Sequence, residues 1–85
     1  MSLLTIDRPD APTLSRAAVV LAASGPALWR VLDSGGRVLG HLQAVADSAG
    51  VRYRARRFHA PTRAFRDLGD FWTADDAVDC LRFAR

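Results

Sequence analysis

Three arginines occupy every second position in the stretch VRYRARRFH, residues 51–59. In a β-strand, Arg52, Arg54 and Arg56 would therefore lie on one face. Guanidinium groups present a planar fork of N–H donors that suits phosphate and the edge of guanine. This spacing predicts a strand whose arginine face can contact nucleic acid.

The charges of the chain are segregated along its length. Residues 52–66 contain six arginines and no acidic residue, whereas residues 67–79 contain five aspartates and no arginine. The formal net charge is only +3, but a polarised molecule still attracts anionic partners to its basic part. We expect nucleic acid as the partner, DNA in preference to RNA. The expected contact residues are Arg52, Arg54, Arg56, Arg66, Arg30 and Tyr53.

Two other interpretations remain open at this point. An open sheet face needs polar residues, so the arginines can simply be solvated and paired with Asp33, Asp67 or Asp70. Alternatively, the chain is a protein-interaction module, or a homodimer in which the arginine face of one copy meets the aspartate-rich segment of another. For a protein-interaction module, the apolar helix 16–23 and the acidic helix start at 75–79 would be the docking surfaces.

Residues suited to catalysis or metal binding are sparse. The aspartates at 75–79 are explained by their place at the start of a predicted helix, where negative charge favours the helix dipole. His41, His59 and Cys80 lack the spacing of a metal site. We expect no enzymatic activity, no cofactor and no metal.

The N-terminal part is predicted to hold a flexible arm and a short helix. Residues 1–12 contain two prolines and no hydrophobic period, which is typical of a loose segment. Ser15 is expected to cap a helix over 16–23, ended by Gly25-Pro26. The remainder, residues 13–85, is expected to form a single α+β domain.

A hydrophobic period of two begins at Ala27 and predicts an antiparallel sheet. Turn-forming residues at 34–37 and 47–50 separate the apolar segments. The four predicted strands are residues 27–33, 38–45, 51–59 and 64–71.

The last element is predicted to be an amphipathic helix. Thr73 and Asp76 form a pair like a capping box. The apolar stripe consists of Ala74, Ala77, Val78 and Leu81. Because three charges cannot be buried unpaired, this helix should cover the sheet face opposite Arg52, Arg54 and Arg56. The predicted architecture is a four-stranded antiparallel sheet covered on one face by a C-terminal helix, with a short N-terminal helix.

The segment LGDFWTADDAVDCL at 68–81, preceded by RYRARRF, resembles two families of DNA-binding domain. These are the ethylene-response-factor domain of plants and the arm-binding domain of phage tyrosine integrases, which both place a small sheet in the major groove. The resemblance implies that Arg52, Arg54, Arg56 and Arg66 face DNA, with Trp29 or Tyr53 as an aromatic contact. It implies scaffold roles for Leu68, Gly69, Phe71, Ala77 and Leu81.

The whole chain, with ALWRVLD, RYRARRFH and LGDFWTADDAVDCL, also resembles a group of short actinobacterial proteins often labelled as DNA mismatch-repair proteins. The label attached to that group has little mechanistic content, and the role we expect is that of an accessory or regulatory DNA-binding factor. The single cysteine, Cys80, cannot form an internal disulfide, and Asp7 and Asp10 spoil the basic leader of a signal peptide. We therefore expect a cytoplasmic protein that does not associate with membranes.

Overall fold

Five strands and one helix follow one another along the chain in the computed structural model, which describes residues 11–15 and 18–83. The elements are β1 (Val20–Gly25), β2 (Leu28–Leu32), β3 (Val38–Asp47), β4 (Gly50–His59), β5 (Ala64–Phe71) and α1 (Ala74–Phe83). Each strand pairs antiparallel with the next, so the sheet is a meander in the order β1-β2-β3-β4-β5. Most of the predicted arm, residues 1–10, lies outside the described residues.

The predicted helix over 16–23 is wrong, and so is the strand count of four. Residues Val20–Gly25 form β1, and a tight turn in which Ala27 has a φ of 53° leads directly into β2. A short apolar run fits either a helix or a buried strand. Here the run forms a strand because it pairs with the backbone at the edge of β2. Residues 16 and 17 lie outside the described part.

Ser15 does not cap a helix of its own. Its backbone N–H and its hydroxyl both donate to the carboxylate of Asp75 in the first turn of α1, at 3.1 Å and 2.7 Å. The segment before β1 is therefore tied to the C-terminal helix, across 60 positions of sequence.

The four predicted strands correspond to β2, β3, β4 and β5. These strands and the C-terminal helix are confirmed. The Thr73 hydroxyl accepts a hydrogen bond from the backbone N–H of Asp76 at 3.2 Å, as expected of an N-cap. All four residues of the predicted stripe are buried. Among the described residues, no helix has the length and apolarity that a bilayer crossing would need.

The core lies between α1 and one face of the sheet. Val31, Leu42 and Ala55 come from three neighbouring strands and are fully buried against the apolar stripe of α1. Burying a side chain such as Leu42 contributes roughly 1.5–3 kcal/mol. Leu14 and Val19, in the segment before β1, also pack against this core. Within residues 11–15 and 18–83, no helix covers the opposite face of the sheet, and we call it the open face.

Gly40 lies where α1 packs tightly against the sheet. A Cβ atom there would lie 2.5 Å from Cδ2 of Leu81 and 2.8 Å from the backbone oxygen of Arg56. We expect Gly40→Ala to lower the free energy of unfolding by about 1–3 kcal/mol, the usual cost of overpacking. Gly25→Ala is the control, because its Cβ would meet only ordinary contacts at 3.6 Å. Urea denaturation of both variants measures this, and equal losses would contradict the assignment.

Candidate nucleic-acid interface

Four of the six predicted contact residues lie together on the open face. Arg30 lies on β2 and pairs in register with His41 of β3, which in turn lies opposite Arg56 of β4. Arg52 and Arg54 follow at alternate positions of β4. The arginines at 52, 54 and 56 thus point away from α1, because Ala55 between them is buried in the core.

The other two predicted residues lie on the face that carries α1. Tyr53 is opposite Phe71, and both pack against the core. Arg66 is opposite Arg57, whose guanidinium donates to the backbone oxygen of Leu81 in α1 at 2.9 Å. Tyr53 and Arg66 therefore do not join the arginines of the open face.

The tryptophan suggested as an alternative aromatic contact is part of the core. Trp29 is only 5% exposed. The second tryptophan, Trp72, is 60% exposed, and the Arg52 guanidinium lies 5.1 Å from the centre of its ring. An exposed aromatic side chain is therefore available at the end of β5, where the resemblance did not place one.

Arg54 and Asp70 form a two-point ion pair across strands β4 and β5. Nε of Arg54 donates to Oδ1 of Asp70 at 2.8 Å, and Nη2 donates to Oδ2 at 3.2 Å. Hydrogen bonding from the guanidinium lowers the pKa of the Asp70 carboxyl below its ordinary value and raises the pKa of Arg54. Both groups stay charged at neutral pH, so the pair fixes the direction of the Arg54 side chain.

Arg56 and Arg52 are also held by acceptors. Nε of Arg56 donates to Asp67 at 2.8 Å and Nη1 donates to Oε1 of Gln43 at 3.0 Å. Arg52 donates to Asp47 through Nη2 at 2.6 Å. These are charge-assisted hydrogen bonds, which orient a guanidinium more strongly than neutral ones. Each arginine of the row is thus fixed from one side.

A β-bulge makes this pairing geometrically feasible. Asp67 and Asp70 are three positions apart, so in a regular strand they would lie on opposite faces. The register shifts at Leu68, so that Gly69 faces Ala55 and Asp67 faces Arg56. Leu68 turns toward the core and both carboxylates reach the open face.

The open face is close to neutral as a result. Its four arginines, at 30, 52, 54 and 56, are matched by three aspartates, at 47, 67 and 70. Four positive charges minus three negative ones leave a formal charge of +1. Among the described residues, no carboxylate lies within ion-pair distance of Arg30, the one arginine of the face left unmatched.

An aromatic cluster lies beside the arginine row. The rings of His41 and Phe65 meet edge to face with centres 4.9 Å apart, and Phe65 meets Phe58 in the same way at 5.5 Å. The Arg56 guanidinium lies 4.7 Å above the Phe65 ring. Nδ1 of His41 is buried and makes no hydrogen bond within the described part of the chain. His41 thus combines an apolar neighbourhood with two adjacent cations.

His41 and Gln43 belong to the site, although sequence reasoning did not select them. The signal was present, because the two-residue turn Ser48-Ala49 sets the register that places them opposite Arg56 and Arg54. Among the described residues there is no group of three or more histidine, cysteine and acidic side chains arranged to hold a metal ion.

The pKa of His41 should make stability depend on pH. Burial, together with the charges of Arg30 and Arg56, lowers its pKa below the ordinary value of 6.5. The unfolded chain then takes up this proton more readily than the folded one, so the free energy of unfolding falls as pH drops below about 6.5. The pKa values of Asp33, Asp47 and Asp70 are lowered by hydrogen bonds to their carboxylates, so these groups stay ionised at pH 5.5 and do not contribute. Urea denaturation at pH 7.5 and pH 5.5 should show the loss in the wild type and a smaller loss in His41→Gln. An equal loss in both proteins would contradict this role for His41.

The candidate interface is thus a row of oriented arginines. Gln43 and the aromatic cluster that contains His41 lie beside this row. No protein-family model, no curated protein and no solved structure matches this chain. Its function is inferred from the contacts, burial and charges of its own residues.

Proposed function

We propose that the protein is a non-catalytic, accessory or regulatory DNA-binding protein that uses the open face, with Arg30, Arg52, Arg54 and Arg56 as contact residues. The observation that carries this proposal is the fixed orientation of the arginine row. Arg54 and Arg56 each use two of their five N–H donors within the described structure, and Arg52 uses one. At least three donors on each guanidinium remain for a ligand.

Fixing a guanidinium before binding reduces the entropy lost when it contacts a base or a phosphate. Arginine recognises guanine through two parallel hydrogen bonds to O6 and N7 in the major groove. The neighbouring Gln43, bonded to Arg56, is of the type that pairs with adenine. We infer that this row reads base edges more than it neutralises phosphates, because its own aspartates already balance most of its charge.

Duplex DNA fits such a face better than duplex RNA does. The major groove of B-DNA is wide enough to admit β-strands, whereas that of A-form RNA is deep and narrow. The resemblance of residues 51–81 to sheet-based DNA-binding domains supports the same partner. We place the protein in the cytoplasm, since its single cysteine, Cys80, is a free thiol.

A protein partner is the second candidate, and the surroundings of Trp72 favour it. Trp72 is 60% exposed, Val51 is 47% exposed, and Arg52 lies over the Trp72 ring. Tryptophan and arginine are the residues most enriched at the energetic centres of protein interfaces. A charge-balanced face also repels a second copy less than a strongly basic one would, so a homodimer is the partner to test first.

Fluorescence anisotropy of labelled duplex DNA across a salt series tests the main proposal. Each phosphate neutralised in the complex contributes roughly −0.9 to the slope of log K against log salt, so the slope measures how many phosphates the protein contacts. The variant Arg52→Ala/Arg54→Ala/Arg56→Ala should bind more weakly and lose discrimination between duplex sequences. Circular dichroism confirms that it still folds.

The matched control is Asp67→Asn/Asp70→Asn, which removes the balancing carboxylates and keeps the arginines. It raises the formal charge of the open face from +1 to +3, so non-specific DNA binding should strengthen while discrimination between sequences falls. If the wild type does not bind near micromolar concentration at low salt, the DNA proposal is wrong. Sedimentation of the wild type and Trp72→Ala over a concentration series then tests the homodimer.

A further inference from the structure

The sheet forks at one end, where β3 and β4 diverge. Pairing between β3 and β4 ends where His41 faces Arg56. Beyond that point β3 stays with β2, whereas β4 and β5 continue for three more pairs, from Arg57 opposite Arg66 to His59 opposite Ala64. We call residues 57–66, with the turn at their tip, the ribbon. At about 3.4 Å per residue, its paired part extends roughly 10 Å beyond the last contact with β3.

A cleft of about 280 Å³ separates the ribbon from the β2–β3 hairpin. Its walls are formed by Val38, Leu39, Gly40, His41, Arg57 and Phe58. Strand pairing across this cleft is absent from the described residues 38–40 and 57–59. The ribbon is therefore a two-stranded unit, whereas β1 also pairs with β2 on the other side of the fork. On the face that carries α1, Arg57 bonds to Leu81, whereas Arg66 and Arg63 are exposed, so a ligand can still reach this face of the ribbon at these two arginines.

The ribbon carries most of the unbalanced positive charge of the described residues. Its three arginines, at 57, 63 and 66, have no carboxylate within ion-pair distance among the described residues. Arg57 and Arg66 also lie directly opposite each other on the face that carries α1. Like charges in such cross-strand pairs are destabilising. An anion bound between them would remove that repulsion.

The tip of the ribbon shows a second unfavourable arrangement. Arg63 has a φ of 53°, in the left-handed region that favours glycine or asparagine. This conformation directs an exposed arginine into the turn that leads from β4 to β5. The charge is thus carried where a neutral glycine would suit the backbone better.

We propose that the ribbon enters the major groove of duplex DNA. One face of the ribbon then lies toward the phosphates of one DNA strand, and the other face lies toward those of the second strand. The proposal rests on the DNA-binding function above and specifies how that site is engaged. A groove about 12 Å wide admits a two-stranded ribbon. Arg57 and Arg66 then meet the phosphates of one strand, Arg56 at the base of the ribbon turns toward the other, and Arg63 leads at the tip. This geometry differs from flat docking of the open face, in which Arg66 would point away from DNA.

Arg66→Ala tests the geometry, with Arg37→Ala as its matched control. Both variants remove one exposed positive charge from a hairpin. Arg37 lies in the turn of the other hairpin, with its side chain 82% exposed and 3.6 Å from Asp33. Arg57 is left intact because it bonds to α1. In the salt series, Arg66→Ala should reduce the magnitude of the slope by about 0.9, the contribution of one phosphate, whereas Arg37→Ala should leave the slope unchanged.

Arg63→Gly provides a test that cannot be confused with unfolding. Glycine relieves the unfavourable φ, so the variant should be as stable as the wild type or more stable, and it should still lose about 0.9 from the slope. Ala27→Gly is the control, since Ala27 has the same φ of 53° in a different turn and carries no charge. It should change stability in the same direction and leave DNA binding unaltered.

The outcomes distinguish failure of the ribbon geometry from failure of the DNA-binding function. If the wild type binds DNA but Arg66→Ala and Arg63→Gly behave like Arg37→Ala, the ribbon geometry is overturned and flat docking through the open face stands. If the wild type does not bind DNA at low salt, the DNA-binding function fails, and the ribbon proposal fails with it. Competition with poly-glutamate adds a further arm. If poly-glutamate displaces the DNA at an equal charge concentration, the ribbon is a site for acidic polypeptide. That result would overturn the proposal that the ribbon binds in the major groove.

Discussion

The bulge at Leu68 is the constraint on which the arrangement of the open face depends. It converts a spacing of three between Asp67 and Asp70 into a spacing of two, which matches Arg54 and Arg56 on the neighbouring strand. It also sends Leu68 to the core, so the same residue serves both sides of the sheet. Without the bulge, one carboxylate would face the core and one arginine would lose its partner.

The placement of charge explains why arginine content alone says little about the partner of this protein. Arginines that lie beside aspartates are held in one orientation and have most of their charge balanced, so they suit the recognition of base edges. Arginines on the ribbon have no balancing carboxylate among the described residues, so they suit the attraction of phosphates. The sequence block 52–66 contains both kinds, and only the three-dimensional register separates them. Function in such a molecule is set by which aspartate each arginine meets.

Most of the fold followed from periodicity, and the exceptions have identifiable causes. Alternation in β4 and the stripe of α1 are strong local signals, because each has a polar side and an apolar side. β1 has no such contrast, since nearly all of its side chains are small or apolar, and its pairing with β2 is a tertiary effect. At the site, Arg52, Arg54 and Arg56 were found by alternation, but a bulge leaves no period in the sequence. Arg66, expected beside them, lies opposite Arg57 on the face that carries α1, because the turn between β4 and β5 sets its register.

The contact between Ser15 and Asp75 has a consequence for how the chain folds. Every strand pair joins neighbours in sequence, so hairpins can form early at little cost in loop entropy. α1 packs on β3, β4 and β5 and so gains its burial only after those three strands have met. The hydrogen bonds that join positions 15 and 75 close a loop of 60 positions. They are expected to form last, after the sheet and α1 are in place, and to slow unfolding more than they speed folding.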